Sequence, residues 1–271
     1  DPKLLIMDEP TSVLTPQEVE ILFHTLRKLA AEGTAILYIS HKLEEIRTLC
    51  DHATILRGGK VVGQCVPRDK TARELAEMMV GGEFAATDRA GRSLGAPVLE
   101  VRALSLPPMS QFGPALREVS LTLRAGEVLG IGGVAGNGQE ELLATLAGER
   151  PSAPGTVVLK GAEAAHLGPN ERRAMGLLSA PEERLGHAAV PAMSLTENTL
   201  LTGTIRKPLM KQGFIDMGAA KAFAEEIIAA FDVRTPGPHV AARALSGGNL
   251  QKYVIGREVL QAPDVLIVNQ P

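Results

Sequence analysis

Leu245 to Lys252 reads LSGGNLQK, and the chain then runs into an apolar strand pattern ending VLIVNQP, Val265 to Pro271. Near its start a second stretch, LLIMDEPTS (Leu4 to Ser12), has the same form as that strand. A serine followed by two glycines at the head of a helix leaves backbone N–H groups free to face an anion. A short unbroken apolar run such as LLIM predicts a strand buried on both faces of a parallel sheet. Such a strand delivers the residues after it, Asp8 and Glu9, to the carboxyl edge where open α/β sheets bind ligands.

The rest of the chain agrees with an α/β reading. Thr15-Pro16-Gln17-Glu18 has the form of a capped helix start. Val19, Leu22, Phe23, Leu26 and Leu29 follow at helical spacing, and Gly33 closes the helix. Thr34 to Ser40 (TAILYIS) is the next buried strand, which makes strand–helix–strand a parallel unit. Gly58-Gly59 between Thr54–Arg57 and Lys60–Cys65 predicts a β-hairpin. Glu74 to Glu83 reads as a short amphipathic helix stopped by glycine, and the Ala-, Gly- and Arg-rich stretch from Glu83 to Pro97 as a linker. Beyond it, VLEVRALSL and LREVSLTLRAGEVLGIGG alternate in the manner of half-exposed antiparallel strands. A glycine-rich turn, a helix over Gln139 to Ala147, a strand at Gly155 to Gly161 and a helical stretch over 194–248 complete the second part. VLIVNQP repeats LLIMDEP at domain scale.

Composition narrows the function. The chain has 271 residues, 45% hydrophobic and 22% charged, which suits two packed domains rather than disorder. A net charge of −3, 3% aromatic residues and no tryptophan argue against a nucleic-acid binder, which needs a basic face or stacking platforms. Cys50 and Cys65 have no metal-ligand spacing, and a reducing compartment is the expected setting. No run of ~18 apolar residues exists to span a membrane, and no signal peptide is visible. The chain starts directly before one core strand and stops directly after another, which predicts a piece of a longer protein.

These motifs together resemble the ATP-binding subunit of a bacterial ABC importer, the tandem type that serves simple sugars and nucleosides. The resemblance covers nearly the whole chain. It implies P-loop NTPase-type ABC nucleotide-binding domains, each a parallel core sheet with an antiparallel β-subdomain and a helical subdomain. Residues 1–82 would be the C-terminal part of the first domain, 83–97 a linker, and 98–271 the second domain, cut after its Walker B strand. Asp8 then corresponds to the Mg²⁺-holding Walker B carboxylate and Glu9 to the base that orients and deprotonates the attacking water. His41, in YISHKLEEI, corresponds to the switch histidine that contacts the γ-phosphate. Ser12 to Thr15 occupies the D-loop, with Thr15 where the family has Asp.

In the second copy the resemblance is to a degenerate site. Gly133, Gly136 and Gly138 keep the glycine-rich shape of a phosphate loop, but Gln139 stands for its lysine and Glu140 for its hydroxyl residue. The loop is read as structural or as a weak nucleotide holder. Glu182, in APEER, stands where the Q-loop has glutamine. Asn269 and Gln270 replace the two Walker B carboxylates with amides, which bind Mg²⁺ poorly and cannot act as a base. Ser246, Gly247 and Gly248 match the ABC signature, with Leu250 where glutamine is usual.

ABC domains pair head to tail, so the family implies that Asp8, Glu9 and His41 work with Ser246, Gly247 and Gly248 on one ATP and Mg²⁺. The phosphate loop of that site would precede Asp1. The implied partners are membrane permease subunits and, through them, a periplasmic solute-binding protein, with no nucleic acid. The implied location is the cytoplasmic face of the bacterial inner membrane. RLGHAAVPAMSLTENTLL (Arg184 to Leu201) resembles the nucleoside branch more than the ribose or galactose branch. The competing reading is a soluble, non-transport ABC ATPase acting on ribosomes or DNA. It predicts a long basic linker and two competent sites, whereas residues 81–97 are short and mixed in charge.

Overall fold

The computed structural model describes residues 2–12, 14–82, 93–109, 113–134 and 136–270. Most of the expected linker and one residue of the glycine-rich loop therefore lie outside the described residues. The chain divides into two compact units, residues 1–91 and 92–271.

The first unit opens with β1 (Leu4–Asp8), α1 (Pro16–Ala31) and β2 (Ala35–Ile39). The expected capping box is present: Glu18 N donates to Thr15 Oγ1 (3.3 Å) and Thr15 N to the Glu18 carboxylate (2.7 Å). The helix ends at left-handed Gly33, φ 95°, a conformation that glycine adopts without steric cost. β1 and β2 pair in parallel from Leu4↔Ala35 to Asp8↔Ile39, as a right-handed crossover requires. One expectation fails. β1 and β2 are covered on one face only, where α1 buries Phe23 and Leu26 (both 2% exposed). On the other face Leu4, Ile6, Leu37 and Ile39 are 57%, 60%, 52% and 46% exposed. A parallel pair needs a layer on each face to be fully buried, and this unit supplies only one.

α2 (Leu43–Leu49) follows, then the antiparallel hairpin of β3 (Ala53–Arg57) and β4 (Lys60–Cys65), turning at Gly58 and Gly59, and α3 (Ala72–Val80). At the head of α3, Thr71 N and Thr71 Oγ1 both donate to Glu74, at 2.7 and 2.9 Å. These bonds, the backbone one first, hold the half-exposed Glu74 carboxyl down to about 2 from an ordinary 4.5. A carboxyl depressed in the folded state contributes stability above its unfolded value and loses it as pH falls through the folded value. The thermal midpoint should therefore fall less steeply between pH 4.5 and 2 in Glu74→Gln than in the wild type. Equal slopes would show that this cap does not contribute.

The second unit has an antiparallel sheet in the order β6-β5-β7-β8, formed by β5 (Pro97–Leu106), β6 (Leu116–Arg124), β7 (Val157–Leu159) and β8 (Ala162–Glu163). α4 (Gln139–Ala147) packs on it through Leu142 and Leu146. The alternation expected through Gly133 stops early: β6 ends at Arg124 and residues 128–134 form no regular element, with Val128 98% exposed. Past α5 (Pro169–Ala174), β9 (Leu177–Ala180) pairs in parallel with β12 (Val265–Val268). So each unit carries its own two-stranded parallel pair.

Between these strands come α6 (Leu195–Gly203), α7 (Met217–Ala230) and α8 (Gly247–Val259), packed on a core of Leu195, Phe223, Ile227, Leu250, Tyr253 and Val254. The helical reading of 194–248 misses a short hairpin, β10 (Met210–Lys211) and β11 (Phe214–Ile215), which turns at Gly213, φ 83°. Fully buried Arg172 donates to the carbonyls of Thr145, Leu146, Ala165 and Leu167. It thereby places a cation at the carboxyl end of α4, where the helix dipole favours one. No described helix is long and apolar enough to cross a membrane.

Candidate functional site

Parallel pairing of β1 with β2 brings Asp8, Glu9 and His41 to one edge, because Asp8 lies opposite Ile39. Glu9 turns the chain out of the strand in the left-handed region, φ 45°, while its N–H still donates to Ile39 O at 2.9 Å. Its Oε1 accepts from His41 N at 3.1 Å and lies 2.8 Å from His41 Nδ1. Its other oxygen, Oε2, is buried and has no hydrogen-bond partner among the described residues. An orphaned carboxylate oxygen of this kind has unused acceptor capacity. The His41 ring is 73% exposed, so its outer nitrogen faces solvent. Asp8 is exposed at the end of β1. A lone exposed carboxylate of this kind fits Mg²⁺, which keeps several waters and takes one or two carboxylates plus phosphate oxygens.

After β12 the second unit has a similar left-handed turn and different side chains. Gln270 follows β12 in the left-handed region at φ 47°, matching Glu9. Asn269 N donates to Ala180 O at 3.0 Å, and Gln270 Nε2 donates to Glu182 Oε2 at 2.9 Å. In this unit the loop after β9 carries the carboxylate and the strand end carries the amide. Asn269 and Gln270 offer Mg²⁺ only neutral amide oxygens, a poorer donor set than carboxylates.

Gln139 does not reach out of the glycine-rich loop. Its Nε2 donates to Val134 O at 3.1 Å and its Oε1 accepts from Asn137 N at 3.1 Å. It staples the turn shut from within, and a Cβ on Gly133 would come within 2.5 Å of that Nε2. Gly136 and Gly138 take φ 82° and 106°. Gln139 and Asn269 line one cavity of about 460 Å³ whose other walls include Leu99, Leu121, Leu142 and Val265. Residues 132–140 contain no lysine or arginine, so the loop offers a phosphate no cation. Calorimetric titration of MgATP into the chain should show no tight binding. Stoichiometric, tight binding would make this loop a genuine nucleotide site without a lysine.

Ser246, Gly247 and Gly248 open α8, with Ser246 extended at φ −63°, ψ 153°. The Ser246 hydroxyl oxygen accepts from Asn249 Nδ2 at 2.9 Å, and Asn249 Oδ1 accepts from Arg234 N. Asn249 therefore ties the helix start to the preceding loop. Leu250, 2% exposed, belongs to the core, which explains an apolar residue there. Sequence reading passed over two groups. Arg184 lies close enough to Gly247 that a Cβ there would sit 2.8 Å from its Nη1. Glu45 gathers hydrogen bonds from Thr11 and Tyr38. The EE pair after SHKL was visible in the sequence, but nothing in it says which carboxylate turns inward.

Solved structures of similar shape include an ATP-binding cassette captured as a dimer in a post-hydrolysis state with ADP and Pi. It matches at TM-score 0.52 and 18% identity over 64% of this chain and 74% of that one. That likeness establishes the fold as an ABC nucleotide-binding cassette. Residues 116–271 match the ABC transporter family model, and the chain belongs to that family. Among its curated relatives are the glucose import ATP-binding protein TsgD13 of Haloferax volcanii, 41% identical over 100% of this chain and 50% of that protein. Another is the nucleoside import ATP-binding protein NupA of Lactococcus lactis subsp. cremoris, at 38%, covering 99% and 53%. A third is the ribose import ATP-binding protein RbsA 1 of Rubrobacter xylanophilus, at 38%, covering 99% and 52%. The chain spans about half the length of these relatives.

Proposed function

We propose that the protein couples ATP hydrolysis to the import of a simple sugar or nucleoside across the bacterial inner membrane, as the energy-coupling subunit. The observation that carries this is the Glu9–His41 contact beside Asp8, at the carboxyl edge of a parallel strand pair. Glu9 accepts the proton of the attacking water. Oε1 is held by His41 N, which fixes the orientation of the carboxylate. His41 presents its outer nitrogen to the phosphate being transferred. Asp8 would hold Mg²⁺, which when bound neutralises charge on the phosphate oxygens.

In this reading residues 1–82 and 98–271 belong to two tandem nucleotide-binding domains joined by residues 83–97, and the protein has one competent and one degenerate ATP site. The competent site holds Asp8, Glu9 and His41; in the other unit Ser246, Gly247 and Gly248 open a helix whose start suits a phosphate. The amides at 269 and 270 and the engaged side chain of Gln139 support degeneration of the other. The partners are membrane permease subunits and, through them, a periplasmic solute-binding protein. The protein sits peripherally on the cytoplasmic face.

The stretch Arg184 to Leu201 favours a nucleoside as cargo, and nucleoside import is among the activities in the relatives' names. The test is ATP turnover in proteoliposomes holding the complete transporter. Stimulation by nucleosides is expected, and stimulation by pentoses alone would overturn the nucleoside assignment.

A further inference from the structure

We infer that Glu45 and Thr11 form a clamp that positions the Glu9–His41 pair for hydrolysis, an inference that rests on the hydrolytic role proposed for that pair. The pair itself is weakly held. His41 is mostly exposed and its only side-chain partner among the described residues is Glu9. Glu9 in turn sits in a left-handed backbone conformation, which persists only where its surroundings over-determine it. The surroundings that do so converge on one carboxylate a turn further along the chain.

Thr11, two residues after Glu9, is fully buried, and its hydroxyl lies 2.7 and 2.8 Å from the two oxygens of Glu45. Tyr38 Oη donates to Glu45 Oε2 at 2.7 Å, and Ser40 Oγ lies 3.5 Å from the same oxygen. Lys42 Nζ donates to Thr11 O at 2.9 Å and to Thr11 Oγ1 at 3.1 Å, and pairs with Glu45 at 3.3 Å. Lys42 N also donates to Ser40 Oγ at 3.1 Å. The residues on either side of His41 and the loop that begins at Glu9 are therefore fastened to a single group that is only 12% exposed.

The charge state supports a fixed clamp. Burial pushes the Glu45 carboxyl up, but the bonds from Tyr38, Thr11 and Lys42 outweigh it and hold it below the usual range. Burial, then the bond to Glu45, raises Tyr38, so its hydroxyl remains a donor. Glu45 touches neither the water nor the phosphate in this scheme; it is a positioning residue acting through Thr11 and the segment around His41. Loss of such positioning slows the chemical step while leaving nucleotide binding in place, and a misplacement of ~1 Å costs on the order of 10²-fold in rate.

The test uses the purified full-length protein and MgATP, with Glu9→Gln, Thr11→Val, Thr11→Ser and Glu45→Gln. Thr11→Val keeps the volume and deletes the hydroxyl. It should lower kcat by about tenfold to a hundredfold with KM for ATP changed less than about twofold. Thr11→Ser restores the hydroxyl and should return kcat to within about twofold of the wild type. Glu45→Gln, which cannot satisfy Thr11, Tyr38 and Lys42 together, should show the same kcat-selective loss by an independent route.

If Glu9→Gln is inactive but Thr11→Val and Glu45→Gln turn over normally, the clamp is overturned and the hydrolytic reading stands. A loss in Thr11→Val that serine does not rescue, and that tracks loss of folded protein, overturns it as well. If Glu9→Gln turns over like the wild type, the hydrolytic reading fails and takes the clamp with it.

Discussion

Glu9→Gln in the full-length protein is expected to lower steady-state ATP turnover by about 10²–10⁴-fold, the range over which a positioned base acts. The substitution keeps the shape and one acceptor oxygen, so His41 N can still be bonded. It removes the group able to take a proton from water. Gln270→Ala should leave most of the turnover, because Gln270 is already an amide and its side-chain bond is to Glu182. The pair of measurements tests asymmetry directly. Equal losses from both substitutions would mean that the two copies contribute alike and that the second is not degenerate.

The second large effect concerns stability. Glu258 is fully buried at the end of α8 and is shared by four groups. Oε1 accepts from Thr202 Oγ1 at 2.8 Å and Arg257 Nε at 2.9 Å, and Oε2 meets Arg173 and Gln261. Arg257 also donates from Nη1 to Asn198 O at 3.0 Å and from Nη2 to Ala188 O at 2.9 Å. The cluster thus joins α5, α6 and α8 to the loop after β9. Glu258→Ala strands two buried guanidinium groups, and breaking a buried pair from one side costs about 3–5 kcal/mol. Urea unfolding of the second unit should register a loss of that size. A loss under about 1 kcal/mol would mean that water enters to solvate the arginines, leaving them no worse off than exposed groups. α8 also carries Ser246 to Gly248 at its other end, so the same substitution should loosen the signature segment.

The parts of this molecule that were legible in sequence are those fixed by local chemistry. Thr15 and Glu18 announce a capped helix because cap and partner are three residues apart. Gly58-Gly59 announces a hairpin because left-handed backbone suits glycine. Asp8, Glu9 and His41 were legible as a group because parallel pairing of two apolar strands forces their ends together. What stayed hidden depends on contacts across the chain. Whether Leu4 and Ile6 are covered depends on which layers surround β1. That Gln139 folds back onto its own turn is a rotamer choice the letter Q does not carry. The inward turn of Glu45 rather than Glu44 depends on Thr11, 34 residues away. The β10–β11 hairpin was hidden because two-residue strands are too short to show a period.

The matched left-handed residues after β1 and β12 bear on how the second copy could be re-equipped. Glu9 and Gln270 leave their strands at φ 45° and 47°, so the turn that presents a carboxylate in the first unit presents an amide in the second. Restoring a carboxylate at 270 alone would set it against Glu182, two like charges where a hydrogen bond now stands. A carboxylate at 270 therefore calls for a neutral partner at 182 in the same redesign.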